Sequence, residues 1–273
     1  MRLVTFTADG RTGVGVRRGD DLVDTGYPDM HALIADGAAG LERAAAATEA
    51  VTGARLLAPI RPGKILCSGV NYASHADENP GAKLPEEPFF FSKLPSAVTG
   101  PGAPIVIPRE ETQTDYEVEL AMVVGRGGRG IREEDALDHV FGWTIMNDVS
   151  ARAIQFKDMQ ITLGKNPDSY APLGPEIVTA DELGDWSTLR VSSTLNGQVM
   201  QDAPTSQMLF SPARLIAFLT ELISLEPGDV VTTGTPAGVG TFRDPPVYLQ
   251  PGDEITVSVD RIGDLTNPVQ AGW

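Results

Sequence analysis

The sequence has almost no cysteine. Cys67 is the single thiol in 273 residues, so an internal disulfide is impossible and a reducing, cytoplasmic compartment is predicted. No apolar run approaches the ~20 residues that a membrane-spanning helix requires. The opening MRLVTFTADG turns polar too soon for a secretory signal, which predicts a soluble protein. Positive charge is scarce: 21 Lys and Arg stand against 37 Asp and Glu, giving a net charge of -16. That balance argues against nucleic acid or an anionic membrane surface as partner. It does not exclude an anionic small substrate, because a bound cation reverses the field locally.

What is present falls into two parts. Residues 1–60 read as a small α+β module: strands at RLVTFT and across TGVGVRRGDDLVDT, then a helix over 29–51 ending in the Ala-rich LERAAAATEAV. Arg61-Pro62-Gly63 marks the break. Residues 61–273 change texture to short β-like runs separated by Pro and Gly, namely KILCSGV, EVELAMVV, GWTIMNDV, LRVSSTLNG, DVVTTGT and EITVSVD. Two of these follow the same turn opener, Pro227-Gly228-Asp229 and Pro251-Gly252-Asp253. One helix interrupts the series, capped by Ser211, with Pro212 first and Leu215, Phe218, Leu219 and Leu222 on one face. The polar stretch 76–88 suits an exposed mobile loop. The fold class is mainly β, of α+β type.

Charged residues then stand where strands should be buried. In Asp115-Tyr116-Glu117-Val118-Glu119-Leu120, strand geometry puts Glu117 and Glu119 on one face. A solvated strand face is the bland reading of a lone pair, but the run continues into ELAMVVG, where idle charge is costly. Asp148 ends the apolar run GWTIMN; it could cap a following helix or complete an oxygen-only site with the two glutamates. Such a site suits Mg2+ or Mn2+, and the absence of nearby His or Cys disfavours zinc. His75 and Glu78 have the spacing that places both on one face of a helical turn, so a carboxylate can orient the imidazole. His31 and His139 sit in helix-like or apolar surroundings and read as structural. Lys165 could meet a substrate carboxylate or enolate, against the commoner fate of a solvated lysine. Thr233–Gly240 lacks phosphate-loop spacing and suggests a backbone-lined anion pocket.

In order along residues 64–269, KILCSGVNYASHADE, FFFSK, DYEVEL, NDVSARAIQ, TLGK, PLGP, TGTPAGVG and PGDEITVSVDRIGDLTNPV closely resemble the fumarylacetoacetate hydrolase family, among its bacterial 2-hydroxyhepta-2,4-diene-1,7-dioate isomerase and acylpyruvase-like members. The resemblance implies a mixed β-roll or β-sandwich, usually assembled as a homodimer. It carries metal binding onto Glu117, Glu119 and Asp148. It makes His75 and Glu78 a catalytic dyad on a short lid, and places Arg152, Gln155, Lys165 and Thr235 at substrate-contacting positions. Pro167 departs from the pattern, since relatives often carry an aromatic residue there; its fixed backbone reshapes the wall beside Lys165 and puts the preferred substrate in question.

The chemistry implied is enolate formation from a small anionic 2-oxo acid chelated by the cation. The first expectation is hydrolysis of a C–C bond in an acylpyruvate-like 2,4-dioxo acid, with His75 activating water. The alternative is isomerisation or decarboxylation of 2-hydroxymuconate-type or oxaloacetate-type acids in aromatic catabolism. A third reading, from another class, is a non-catalytic metal-stabilised dimeric scaffold.

Overall fold

The computed structural model describes residues 1–78, 84–109, 111–157 and 159–272. The predicted loop at 76–88 therefore lies partly outside the described residues.

The chain opens with a hairpin, β1 (Arg2–Ala8) and β2 (Arg11–Arg18), paired from Arg2↔Arg17 to Ala8↔Arg11. Asp9 and Gly10 both take positive φ (49° and 76°), as a two-residue turn that matches strand twist requires. β3 (Asp21–Asp24) extends the sheet. The predicted single helix over 29–51 is instead two, α1 (Met30–Ala35) and α2 (Gly37–Ala46). Gly37 at φ 56° breaks the rod between them. The end of the Ala-rich run is not helical at all: β4 (Glu49–Ala50) pairs with β3, so an open strand edge overrides helix propensity. β5 (Arg55–Leu57) returns against β1.

The remainder runs through β6 (Ile65–Ser68), α3 (Ala73–Asp77), β7 (Phe90–Lys93), β8 (Val98–Thr99), β9 (Ile105–Ile107), β10 (Thr114–Asp115), β11 (Val118–Val124), β12 (Val140–Asn147) and β13 (Ser150–Ala151). Two single-turn helices follow, α4 (Arg152–Phe156) and α5 (Ile161–Lys165), then β14 (Ala171–Thr179) and α6 (Ala180–Leu183). β15 (Arg190–Leu195), β16 (Gln198–Pro204), α7 (Pro212–Thr220), β17 (Val230–Thr232), β18 (Glu254–Val259) and β19 (Gly263–Ala271) complete the chain.

Two sheets result. The larger runs β4-β3-β2-β1-β14-β12-β11-β17-β6-β7, so the N-terminal strands join the rest through β1 against β14. The smaller runs β16-β15-β18-β19-β9. β11 lies central and is buried along its whole length. Its even-numbered side chains, Val118, Leu120, Met122 and Val124, share a core with Val191, Ile255, Val257 and Leu265 of the smaller sheet. Ala121 and Val123 face the opposite way, toward a second core that includes Leu3, Ile65, Cys67 and Leu173. Alternation along one strand thus fixes which face Glu117 and Glu119 share.

The repeated Pro-Gly-Asp opener is one device used twice. Gly228 and Gly252 take φ of 87° and 98°, and each Asp side chain accepts the N–H three residues earlier, Glu226 N at 2.7 Å and Gln250 N at 2.8 Å. α7 is capped as expected, Ser211 accepting from Arg214 N at 3.1 Å. Its face is shorter than predicted. The helix ends at Thr220 and tightens, with Leu222 N bonded to Leu219 O, which turns Leu222 out to 82% exposure.

Candidate active site

The site is assembled at the start of β11 and the end of β12. Val118 pairs with Asn147, and the ladder continues one step beyond, with Asp148 N donating to Glu117 O at 2.9 Å. Asn147 Oδ1 accepts Glu117 N at 3.0 Å, closing the same clamp from the side chain. These bonds set Asp148 beside Glu117, while strand alternation brings Glu119 to the same face. Glu117, Glu119 and Asp148 offer carboxylate oxygens within 4.8 Å of one another, all buried. Asp148 caps no helix: Ala151 precedes α4, without a side-chain cap.

Three buried cations answer these carboxylates. Lys165, at the end of α5, donates to Glu117 Oε2 and Asp148 Oδ2, both at 2.8 Å. Lys93, at the end of β7, donates to Asp148 Oδ1 at 2.6 Å and to Val149 O at 3.0 Å. Arg152 binds Asp115 at 2.9 Å, Gln155 at 3.0 Å, and Glu117. Burial alone would raise the Glu117 carboxyl, but Lys165 and Arg152 outweigh it and hold the group below the ordinary range. Glu119 goes the other way: burial, then the charges of Asp148 and Glu117, push it well above. Burial lowers the Lys93 ammonium although Asp148 opposes it. Lys165 is raised, because Asp148 and Glu117 overcome its own desolvation.

The donor set fits a hard divalent cation. It is all oxygen, buried and mutually repulsive, and Glu119 has no cationic side chain against it among the described residues.

His75, on α3, bonds Glu78 through Nδ1 at 2.9 Å. Glu78 is held in turn by Gly238 N at 2.7 Å. Thr235 donates to Val118 O at 2.9 Å and accepts from the buried Gln201 at 2.8 Å. The loop Thr233–Gly240, expected to form a backbone-lined anion pocket, does bind anions through its N–H groups. The anions belong to the protein: Gly234 N serves Glu119, Gly238 N serves Glu78 and Gly240 N serves Asp115.

A cavity of about 150 Å³ is lined by His75, Glu117, Glu119, Arg152, Gln155, Lys165 and Thr235, so every predicted site residue except Glu78 and Asp148 faces it directly. Phe89, Phe91, Val70 and Ile161 supply apolar walls. A larger cavity, about 570 Å³, lies between the N-terminal strands and residues 95–103, away from the carboxylates. His31 lines it but is engaged with Arg61 O at 2.9 Å, and His139 is spent on Arg126. Sequence reasoning missed Lys93, Asp115 and Gln201 as members of the cluster. Only Lys93 left a signal, a charge closing the apolar run FFFS.

The scaffold is β-rich and carries a buried carboxylate triad beside a His–Glu pair, the arrangement of an enzyme site. The chain belongs to the fumarylacetoacetate hydrolase family: residues 64–270 match the family profile described as Fumarylacetoacetate (FAA) hydrolase C-terminal. It is 40% identical to a mitochondrial oxaloacetate tautomerase of Xenopus laevis, across 98% of this chain and 90% of that protein. Two solved structures match over the full length of both chains. The fumarylacetoacetate hydrolase of Exiguobacterium antarcticum has 38% identity and a TM-score of 0.89. The 5-carboxymethyl-2-hydroxymuconate delta-isomerase of Mycobacterium smegmatis has 34% identity and a TM-score of 0.83. The β-roll expected from the motifs is thus present. No helix among the described residues is long and apolar enough to cross a membrane. The Xenopus relative is named as mitochondrial, so the cytoplasmic expectation finds no support there.

Proposed function

We propose that this chain is a divalent-metal-dependent tautomerase or isomerase of a small anionic 2-oxo acid, with an oxaloacetate-type acid as first candidate substrate. The observation that carries the reading is the buried triad Glu117, Glu119 and Asp148, two of whose members, Glu117 and Glu119, face the same cavity as His75 and Lys165. The names of the tautomerase and delta-isomerase relatives favour this alternative over the hydrolysis first expected. A homodimer remains part of the reading, tested by light scattering.

The three carboxylates would hold Mg2+ or Mn2+, which supplies positive charge for the oxygen that becomes negative as the acid enolises. His75 moves the proton at C3. Its Nδ1 is committed to Glu78, which leaves Nε2 as the exchanging nitrogen. Gly238 fixes Glu78, so the imidazole is oriented from the loop beneath it. Lys165 meets the substrate carboxylate from the cavity wall, while Phe89 and Phe91 limit the entry of water. Arg152 spends its nitrogens on Asp115, Glu117 and Gln155, which suits it to positioning Glu117 and Gln155 rather than to gripping substrate.

A second reading, hydrolysis of an acylpyruvate with His75 activating water, draws on the intact dyad and on the named hydrolase among the similar structures. One assay separates them. Loss of enol absorbance of oxaloacetate above the solution rate, abolished by EDTA and restored by Mg2+, supports the tautomerase. Cleavage of acetylpyruvate without that activity would return the chain to hydrolysis. Inactivity of the metal-loaded protein on both acids and on 2-hydroxymuconate-type dienes would sink both readings.

A further inference from the structure

The three carboxylates are unequally furnished. Glu117 has Arg152 and Lys165, and Asp148 has Lys93 and Lys165, but Glu119 has no ion pair among the described residues and accepts from Gly234 N at 2.9 Å. Tyr72 and Thr232 lie near it, and Ser68 lines the cavity that it faces. Ser68, Tyr72 and Thr232 each carry a buried hydroxyl oxygen with no hydrogen-bond partner among the described residues. Thr232 stands opposite Cys67 in the β6–β17 pairing and lies against Glu119, and Tyr72 lies within reach of the same charge. Of the three, only Ser68 lines the cavity that Glu119, His75 and Lys165 face, and it is 2% exposed.

An unpaired buried hydroxyl is costly, and native proteins keep few of them. Ser68 ends β6, where alanine would satisfy the strand equally well and leave nothing orphaned. Its hydroxyl makes sense as a partner for something that enters. We propose that Ser68 is a further ligand-binding residue of this site, its hydroxyl pairing with an oxygen that the bound species brings to the Glu119 side. That oxygen is either a water carried by the divalent cation or an oxygen of the 2-oxo acid. The inference rests on the metal-site reading above and adds to it a buried polar wall residue that has no partner among the described residues.

The test uses the full chain and its Ser68→Ala and Ser68→Thr variants. Three quantities are measured: thermal unfolding without metal, binding of Mn2+ alone by calorimetry, and KM for oxaloacetate at saturating Mg2+. Ser68→Ala is expected to leave metal-free melting unchanged or slightly raised, because it deletes a group with no partner. Ligand binding is expected to weaken about three- to tenfold, the value of one hydrogen bond, with Ser68→Thr recovering most of it. Weaker Mn2+ binding identifies the cation's water as the partner. Unchanged Mn2+ binding with a raised KM identifies the substrate. Unchanged binding of both, or a metal-free protein that melts lower, would overturn the proposal and leave Ser68 a structural hydroxyl. Wild-type protein that binds no Mn2+ would instead strike the metal-site reading itself.

Discussion

Lys93 and His75 stand at opposite ends of the same problem, one holding a ligand still and the other moving a proton. Asp148 is wholly buried and has a lysine on each oxygen, Lys93 at 2.6 Å and Lys165 at 2.8 Å. Lys93→Met removes one lysine and leaves Asp148 less compensated. Breaking a buried pair in this way costs about 3–5 kcal/mol, so the variant is expected to unfold at clearly lower denaturant concentration. Added Mg2+ should recover part of the loss, since the cation supplies the missing charge; a variant as stable as the parent would mean that Lys93 is idle. His75→Ala touches no carboxylate of the triad. Mn2+ affinity is expected to hold while kcat falls by about 10²–10⁴-fold, the usual worth of a positioned acid–base. Intact kcat would remove His75 from the proton transfer.

At the scale of elements, the segment after β17 connects pieces that the chain keeps far apart. Gly238 illustrates how little room it has. Its φ is 105°, and a Cβ there would lie 2.1 Å from Met200 O. Gly238→Ala is therefore expected to cost about 1–3 kcal/mol in strain and to displace the amide that holds Glu78. Because Glu117, Glu119 and Asp148 are anchored on β11 and β12, Mn2+ affinity should fall less than kcat. Parallel measurement of both checks this, and equal losses would place the damage in the triad rather than the dyad. Two elements departed from their sequence patterns for reasons of the same scale. The Ala-rich run gave its end to β4 because β3 offered an edge, and Leu222 left its face because α7 tightens before reaching it.

Across the whole molecule, the charge of the site couples folding to pH. Without a cation, Glu119 is held above its ordinary value of 4.5, so the folded protein keeps a proton that the unfolded chain would lose. That contribution is full below the ordinary Glu range and declines as pH climbs toward the raised value. Glu117, shifted down, acts in a separate window, losing its contribution only as pH falls below the ordinary range. Mg2+ competes with the Glu119 proton, so the rise in melting temperature on adding Mg2+ is expected to grow with pH above about 4.5. Calorimetry at several pH values tests this, and a metal shift independent of pH would contradict it. Much of this arrangement was legible in the sequence. Period-two alternation gave Glu117 and Glu119 a common face, and helical spacing joined His75 to Glu78. Partnerships without spacing were not: Lys93 with Asp148 spans 55 residues, and β1 against β14 sets Arg2 opposite Val178. Such contacts are set by three-dimensional closure, and local pattern carries no trace of them.

The amides of Gly234, Gly238 and Gly240 are already occupied by Glu119, Glu78 and Asp115. Those groups offer no free cradle for a tetrahedral oxyanion, which bears on inhibitor design. Planar chelating dianions such as oxalate should compete well against substrate, whereas phosphonate mimics of the same length should gain little from their extra charge.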